Sequence, residues 1–262
     1  MSNGLEELQQ AFKQLRLSEV SLELPVLMRE AEQKSWTYYE LLNHLLKYEL
    51  TKREEKNKAR RLKWAKFPYQ KTLEDYDLSE QTSLSERQMR QLKEMNWLEQ
   101  QYNLILLGPP GVGKTHLAVG VGLEAIEQGY QVMFLPMGEL TTILKTSDYT
   151  RKSQIALNRI KKSDLVIIDD LMYMAMDPME ANQFFQLVDY LYERSSIILT
   201  SNKSPDQWGE LLGDEGVATA ILDRLLHRVE LIQMDDESYR MKHRQRVLEQ
   251  DRMDEAAGSE LL

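Results

Sequence analysis

The sequence predicts an α/β fold in which a parallel β-sheet is flanked by helices, preceded by an all-helical N-terminal domain. Two observations support this prediction. No glycine occurs between Gly4 and Gly108, which favours continuous helices in the first part of the chain. From residue 103 onward, short apolar runs alternate with segments of helical periodicity, which is typical of a parallel sheet covered on both faces.

Residues 1–70 form the predicted helical domain. Apolar residues recur at helical spacing from Leu5 to Leu15 in the first helix. Pro25 is expected to open a second helix that runs to Lys34. Thr37 and Glu40 have the capping-box spacing that begins a longer third helix. The apolar face of that helix is expected at Tyr38, Leu41, Leu42, Leu45, Leu46 and Leu50.

A linker with a lead-in helix is predicted at residues 71–100, and the α/β domain at residues 101–250. The lead-in helix is expected from Ser83 to Trp97, capped by Ser83 or Ser85. The expected strands are residues 103–107, 131–135, 165–168, 196–200 and 229–234. The expected helices are residues 115–128, 138–145, 153–162, 177–193, 217–227 and 238–248. The acidic tail at residues 251–262 is expected to be disordered.

Composition excludes several classes of protein. The chain has 262 residues and no cysteine, which excludes disulfide frameworks and thiolate metal sites. No stretch approaches the roughly 20 apolar residues of a membrane span, and the N-terminus lacks the pattern of a signal peptide. A cytoplasmic protein is therefore expected. The net charge of −9 argues weakly against nucleic acid as a partner, although the charge is unevenly distributed.

The phosphate-binding motif G-x-x-x-x-G-K-[ST] occupies residues 108–115. It consists of Gly108, Pro109, Pro110, Gly111, Val112, Gly113, Lys114 and Thr115. An expected strand precedes it and an expected helix follows it, as this motif requires. The motif predicts that Lys114 binds the β- and γ-phosphates of a nucleotide and that Thr115 binds Mg²⁺. His116 is included in the nucleotide-binding set, with packing as the alternative, and residues 71–100 are placed to cover the base.

Polar residues follow two of the expected strands. Asp169 and Asp170 come directly after the run 165–168. A carboxylate there can bind Mg²⁺, so Asp169 is assigned to the metal and Asp170 to orienting or deprotonating the attacking water. The alternative is a strand that ends in a turn, where aspartate is common. Asn202 follows the next strand and could position water beside the γ-phosphate.

Arginines on two later helices are candidates for phosphate contacts. Arg224 lies on an otherwise apolar helix and is a candidate for an arginine finger that acts on the nucleotide of a neighbouring copy. The alternative is an ion pair with Asp223 or Glu230. Arg240 and Arg244 lie on the last expected helix, and either could reach the phosphates of its own subunit.

A basic run stands out against the acidic chain at residues 51–66. It has eight basic and two acidic residues, a net charge of +6. Its candidate DNA-binding residues are Lys52, Arg53, Lys56, Lys58, Arg60, Arg61 and Lys63. Such cations give salt-sensitive binding that does not depend on DNA sequence. The alternative is a solvated helix face.

The combination of motifs resembles a known family. It comprises the phosphate loop, Asp169-Asp170, Leu199 to Asn202, Asp223 to Leu225 and Ser238 to Arg240. This set is similar to an AAA+ ATPase of the initiator and helicase-loader branch. Within that branch the chain most resembles the IstB-type ATP-binding protein of insertion sequences, a near relative of the DnaC helicase loader. The resemblance spans about residues 5–248 and includes the leading helical region.

The resemblance implies ATP and Mg²⁺ as cofactors and a role for each polar residue. Lys114 and Thr115 match the phosphate and magnesium ligands, and Asp169 matches the metal carboxylate. Asp170 matches the catalytic carboxylate, although glutamate is usual there in the wider family, which leaves the hydrolysis rate open. The remaining matches are Asn202 as first sensor, Arg224 as arginine finger and Arg240, with Arg244 as alternative, as second sensor.

A second basic segment lies at residues 145–162, with six basic residues against one acidic residue. Members of this branch usually insert a helical element here that faces nucleic acid. We therefore expect Lys145, Arg151 and Lys152 to belong to a DNA-tracking surface of the oligomer. The alternative is a solvated loop.

The favoured function is an ATP-driven protein that forms a homo-oligomer on duplex DNA and helps a transposase to select its target. The first alternative is a helicase loader whose N-terminal helices bind a replicative helicase. The second is a monomeric small-molecule kinase, which would leave Arg224 without a role.

Overall fold

The computed structural model describes residues 2–78, 81, 83–171, 176–209, 215–235 and 238. The chain divides into two compact units, residues 1–60 and residues 61–262. The boundary lies inside a helix, so the domain limits expected from the sequence stay a prediction. No helix in the described part of the chain is long and apolar enough to cross a membrane.

The first unit is helical. It contains α1 (Ser2–Gln14), α2 (Ser18–Gln33) and most of α3 (Tyr38–Ala65). Its buried core is small and consists of Val20, Leu24, Leu27 and Leu45. The capping box predicted for α3 is confirmed, because Thr37 N donates to Glu40 Oε2 at 2.7 Å and Glu40 N donates to Thr37 Oγ1 at 3.3 Å.

The prediction that Pro25 opens a helix is wrong, because Pro25 lies inside α2. Proline has no N–H and so leaves the carbonyl of residue i−4 without its helical donor. Here that carbonyl belongs to Ser21, and it accepts a hydrogen bond from Gln9 Nε2 at 2.8 Å. A side chain of α1 therefore replaces the missing backbone donor, which allows the helix to continue.

The apolar face predicted for α3 is divided. Leu45 is buried at 6% exposure, whereas Leu42, Leu46 and Leu50 are 55–65% exposed and Tyr38 is 90% exposed. The core-facing side of α3 also carries Glu49, whose carboxylate accepts the backbone N–H groups of residues 19 and 20 at 2.9 Å each. Glu49 thus caps the N-terminus of α2, where Leu17 offers no side-chain cap.

The second unit is built on a five-stranded parallel sheet, which confirms the predicted fold class. The strands are β1 (Asn103–Leu107), β2 (Val132–Pro136), β3 (Leu165–Asp169), β4 (Ser196–Ser201) and β5 (Val229–Gln233). Their order across the sheet is β2-β3-β4-β1-β5. Each strand lies within one residue of its predicted bounds. Apolar runs mark β1 to β4, which are largely buried, whereas β5 at the edge of the sheet is mostly exposed.

Helices cover both faces of the sheet. They are α4 (Glu86–Glu94), α5 (Asn96–Glu99), α6 (Lys114–Glu127), α7 (Met137–Thr146), α8 (Arg151–Ile160), α9 (Pro178–Leu191) and α10 (Glu215–Leu226), with a 3₁₀ turn at Pro205–Gln207. Leu104 and Leu106 of β1 pack in one buried cluster with α6, and Ile105 and Leu107 pack in the other with α9 and α10. This alternation places apolar side chains on both faces.

The lead-in helix differs from its prediction. It is divided into α4 and α5 by Met95, whose φ of 57° lies in the left-handed region and ends α4. Ser85 is the N-cap, with Gln88 completing a capping box. The helix predicted at residues 238–248 and the tail at 251–262 lie outside the described residues, apart from Ser238.

The sheet topology determines where the polar residues meet. Strands β3, β4 and β1 are neighbours and all run in the same direction. Their carboxyl ends therefore form one edge, which carries Gly108 after β1, Asp169 at the end of β3 and Asn202 after β4. Ligands of open parallel sheets bind at this type of edge.

Candidate nucleotide-binding site

The phosphate loop connects β1 to α6 through backbone conformations that favour glycine. Gly111 and Gly113 have φ values of 88° and 98°. A Cβ atom at Gly108 would overlap the carbonyl oxygen of Met234, and one at Gly111 would overlap Ser238 Oγ. These close approaches hold the loop against the segment that follows β5, with Pro109 and Pro110 exposed at its tip.

The loop ends at a helix N-terminus that has no side-chain cap. Gly113 is the N-cap of α6 and has no side chain that could accept the first N–H groups of the helix. Helix N-termini with unsatisfied N–H groups bind anions, because the donors and the positive end of the dipole point in the same direction. Val112 is fully buried beneath the loop and anchors it to the core. The loop therefore has the features of a phosphate site.

Lys114 is the first residue of α6 and is buried at 8% exposure. Its Nζ donates to Gly108 O at 2.7 Å and to Pro109 O at 2.9 Å. The ammonium group is thus held across the opening of the loop by the loop's own carbonyl groups. A phosphate bound here would receive hydrogen bonds from this ammonium in exchange for the carbonyl contacts.

Thr115 and Asp169 form the candidate magnesium site. Thr115 Oγ1 donates to Asp169 Oδ1 at 3.0 Å and lies 3.2 Å from Oδ2. Two neighbouring ligands of octahedral Mg²⁺ at about 2.0–2.1 Å are separated by about 2.9 Å. The oxygen atoms therefore fit Mg²⁺ coordination with little rearrangement. No cluster of three or more potential metal-binding His, Cys, Asp or Glu residues occurs among the described residues.

Burial shifts the pKa of Asp169. It raises the pKa of the Asp169 carboxyl, because removing water disfavours the ionised form, whereas hydrogen bonds from Thr200 and Thr115 lower it. The neighbouring Asp170 also raises this pKa. A bound divalent cation would favour the ionised form.

Thr200 is a residue of the site that the sequence analysis did not assign. Its hydroxyl donates to Asp169 Oδ1 at 2.6 Å and accepts the backbone N–H of Asp170 at 2.9 Å. The side chain is 1% exposed. Thr200 thus joins β4 to the carboxylate of Asp169 and to the backbone N–H of Asp170. The sequence signal for Thr200 was a hydroxyl residue at the end of the strand that follows the Asp169-Asp170 pair in the chain.

Asp170 lies directly after β3 with an exposed side chain and a φ of 60°. This left-handed conformation is uncommon for residues other than glycine, although aspartate tolerates it. The hydrogen bond to Thr200 holds the turn in place. Asn202 is also exposed and follows β4 at the same edge. Both candidate water-positioning side chains therefore lie near Asp169 and remain accessible.

A cavity of about 580 Å³ opens beside the loop. One wall comes from residues between 69 and 77 and from Gln81, and the other from Gly111, Gly113, Lys114, Thr115 and His116. The volume is within the range of small-molecule sites. The segment before the α/β domain therefore lies where the sequence analysis expected a base to be covered.

His116 lines this cavity and contacts the same segment. Its Nε2 lies 3.2 Å from Thr72 O, and its ring meets the ring of Tyr76 edge-on at 5.3 Å. Burial lowers the pKa of His116. These contacts agree with the packing alternative for His116.

Arg224 is not paired with either of the partners considered in the sequence. Its Nε donates to Asp189 Oδ1 at 2.7 Å, and its guanidinium lies over the ring of Phe185 at 4.7 Å. Both partners belong to α9, on which α10 packs. Arg240 and Arg244 lie outside the described residues.

The basic run on α3 is partly engaged within the protein. Arg53 pairs with Glu49 at 2.7 Å, and Lys56 pairs with Glu19. Lys52 pairs with Glu55 at 2.8 Å, and Arg60 donates to Asn57 Oδ1 at 3.1 Å. The other candidates of this run are Lys58, Arg61 and Lys63. Arg53 and Lys56 therefore have structural contacts that the sequence analysis missed.

The second basic segment is divided between two environments. Lys145 binds Glu180 at 2.7 Å and Asp177 at 3.4 Å, at the start of α9. The hydrogen bond to Glu180 raises the pKa of Lys145. Arg151 and Lys152 are exposed in the first turn of α8, and neither has an acidic partner among the described residues. Cations at a helix N-terminus oppose the helix dipole, so their placement does not serve helix stability.

Comparison with known proteins extends these observations. Residues 10–247 match the family model described as IstB-like ATP binding protein. An ATP-binding protein of insertion sequence IS21 from Pseudomonas aeruginosa is 37% identical over 243 residues, which cover 93% of this chain and 92% of that protein. An ATP-binding protein of insertion sequence IS5376 from Geobacillus stearothermophilus is 39% identical over 208 residues, which cover 79% of this chain and 83% of that protein.

Solved structures show the same fold. DnaI is 23% identical, with a TM-score of 0.54 over 63% of this chain and 90% of that chain. DnaA from Aquifex aeolicus, bound to AMPPCP, is 23% identical, with a TM-score of 0.53 over 71% of this chain and 56% of that chain. The chain therefore shares the fold of these two proteins. Together with the family match over most of its length, this places the chain in the IstB-like ATP-binding protein family.

Proposed function

We propose that this chain is a Mg²⁺-dependent ATPase that assembles with copies of itself on duplex DNA and assists a transposase in selecting target DNA. One observation carries the enzymatic part. Hydrogen bonds connect Thr115 through Asp169 and Thr200 to the backbone N–H of Asp170, beside a glycine loop that ends at an uncapped helix N-terminus. This arrangement places a metal-type carboxylate, followed directly in the chain by an exposed carboxylate, beside one phosphate site.

The chain's own residues bind and orient the nucleotide. The N–H groups of the loop and of the first turn of α6 bind phosphate oxygens. Lys114 moves its hydrogen bonds from the loop carbonyls to the β- and γ-phosphates. Thr115 and Asp169 supply oxygen ligands to Mg²⁺, which when bound neutralises charge on the phosphates. The segment at residues 69–77 covers the base.

Hydrolysis requires a positioned water. Asp170 accepts a hydrogen bond from the water that attacks the γ-phosphorus and takes its proton, while the bond between that phosphorus and the bridging oxygen breaks. ADP and inorganic phosphate leave. Asn202 fixes the water from the neighbouring strand. Arg224 stabilises the transferred phosphoryl group on a neighbouring copy, so that turnover depends on assembly.

The DNA-binding part rests on the exposed cations. Arg151, Lys152 and Lys63 are exposed in a chain whose net charge is −9. Such residues bind DNA by neutralising phosphates. The transposition setting is supported by the names of the relatives, which are ATP-binding proteins of insertion sequences at 37–39% identity.

The test compares ATP hydrolysis by the purified protein with and without duplex DNA, with the assembly state followed by sedimentation. We expect Mg²⁺-dependent hydrolysis, larger assemblies when ATP and duplex are both present, and a turnover that depends on protein concentration. A protein that stays monomeric with both ligands, or that hydrolyses ATP equally well at all dilutions, would contradict the proposal. Capture of the transposase encoded beside it, compared with a replicative helicase, tests the choice of partner.

A further inference from the structure

The guanidinium group of Arg224 is fixed by three contacts. Its Nε donates to Asp189 Oδ1 at 2.7 Å, and one Nη atom donates to Ala220 O at 3.0 Å. The flat face of the group lies 4.7 Å from the ring centre of Phe185. Asp189 and Phe185 are four residues apart, so they lie on the same face of α9. Hydrogen bonds at Nε and at Nη1, together with the ring on one face, leave the group little freedom to rotate.

These contacts use only part of the donor capacity of the arginine. A guanidinium group has five N–H donors, and they lie in one plane. Nε–H is taken by Asp189 and one Nη1–H by Ala220. Among the described residues, Nη2 has no hydrogen-bond partner, and the Arg224 side chain is 26% exposed. The group is therefore anchored at Nε and at Nη1, and the N–H groups of Nη2 remain available.

We propose that Asp189 is a positioning residue that holds the free Nη2 group of Arg224 in the orientation needed to contact the triphosphate of a neighbouring copy. This inference rests on the proposed function, in which Arg224 acts on a neighbour's ATP. Asp189 does not touch the nucleotide. It acts by reducing the number of rotamers that the long arginine side chain samples before assembly.

A contribution to folding stability alone does not explain why Asp189 pairs with Arg224. The Asp189 side chain is 54% exposed, and ion pairs at such sites contribute little to folding because water screens them. The Phe185 ring is half-buried against the main core, so it forms a rigid surface beneath the guanidinium group. Loss of the carboxylate is therefore expected to change the orientation of Arg224 while leaving the fold intact.

The experiment uses the full chain with four substitutions made separately. Asp189→Asn removes the charge with little change in shape, and Asp189→Glu keeps it. Asp223→Asn is the matched control, because Asp223 is exposed and precedes Arg224 on the same helix. Arg224→Ala removes the group itself. For each protein we measure kcat, KM for ATP, nucleotide affinity, assembly and thermal unfolding.

We expect Arg224→Ala to lose hydrolysis almost completely and Asp189→Asn to lower kcat about tenfold. In Asp189→Asn, nucleotide affinity, assembly and the unfolding temperature should stay within error of the starting protein. Asp189→Glu should recover part of the lost kcat, and Asp223→Asn should behave as the unsubstituted protein. The effect should depend on which subunit carries the change, which mixing experiments can measure.

In the mixing experiment, one protein carries Lys114→Ala and retains Arg224, and the other carries Arg224→Ala and retains its nucleotide site. Mixing the two should restore hydrolysis. Adding Asp189→Asn to the Lys114→Ala protein should weaken this restoration about tenfold. Adding it to the Arg224→Ala protein should have no effect, because Asp189 is expected to act only beside the arginine that it positions.

The outcomes separate the inference from the proposed function. If Arg224→Ala hydrolyses ATP normally in the assembled state, the proposed role of Arg224 fails. If Arg224→Ala is inactive but Asp189→Asn matches Asp223→Asn, the positioning role is overturned while the proposed function stands. A faster Asp189→Asn protein, or one that loses assembly or unfolds at a clearly lower temperature, also overturns the positioning role.

Discussion

Replacing Thr200 by valine tests the alignment of the two carboxylates. The substitution keeps the volume of a side chain that is 1% exposed but removes the hydroxyl that contacts Asp169 Oδ1 at 2.6 Å and Asp170 N at 2.9 Å. A hydrogen bond to a charged group contributes about 1.5–3 kcal/mol. If about 2 kcal/mol of this is lost in the transition state, hydrolysis slows roughly thirtyfold.

The assay separates chemistry from binding. Single-turnover hydrolysis of MgATP reports the chemical step. Nucleotide affinity measured without Mg²⁺ reports the phosphate loop, whereas the hydroxyl of Thr200 bonds Asp169 and the N–H of Asp170. In Thr200→Val we expect the single-turnover rate to fall and the nucleotide affinity to stay constant. Thr200→Ser is the matched control, because it retains the hydroxyl and loses only a buried methyl group, at a cost of about 1 kcal/mol in stability.

Two results would refute this reasoning. The first is a valine variant that hydrolyses ATP within threefold of the unsubstituted protein. The second is a serine variant as slow as the valine variant, which would mean that packing at this position matters and the hydroxyl does not. Thermal unfolding of both variants shows whether either result reflects a loss of folded protein.

Three further predictions concern other parts of the molecule. Lys114→Ala should abolish measurable ATP binding in calorimetry, because it removes the ammonium group held at the opening of the loop. Glu49→Ala should lower the unfolding free energy of the helical unit by about 2–4 kcal/mol in urea, since two N–H groups lose their acceptor, and Glu49→Gln should lose less. The double change Arg151→Gln and Lys152→Gln should reduce the salt slope of DNA binding by about 2, whereas Lys145→Gln should leave it unchanged.

The framework of the α/β unit was predictable because its signals are local. Strands β1 to β4 contain apolar runs, and helices begin at recognisable caps such as Asp177. The helical unit was harder. In the sequence alone, Pro25 predicts the start of a helix. In the structure α2 continues across Pro25, because the side chain of Gln9 on another helix bonds the carbonyl that the proline leaves without a donor. The division of the α3 apolar face likewise depends on which side packs against α2.

The same distinction applies to the candidate site. The loop from Gly108 to Thr115 was found because consecutive residues carry its chemistry. The role of Thr200 depends on β4 lying beside β3, and the partner of Arg224 lies 35 residues away on α9. The sequence suggested only Asp223 and Glu230 as ion-pair partners of Arg224, because it shows which residues are close along the chain and not which are close in space. Predicting contacts between different strands and helices requires knowledge of the strand order and of the helix packing.

The basic residues show why charge counts alone do not locate a nucleic-acid surface. The run at residues 51–66 has the larger net charge, yet Arg53 is held by a buried carboxylate that also caps α2. Substituting Arg53 would therefore alter folding and DNA binding together, and a lost complex could not be assigned to either cause. Arg151 and Lys152 oppose their own helix dipole, so neutralising them should stabilise α8 slightly. Weaker DNA binding together with unchanged or higher stability at these two positions would point to a contact with phosphate, because a folding defect would change stability in the opposite direction.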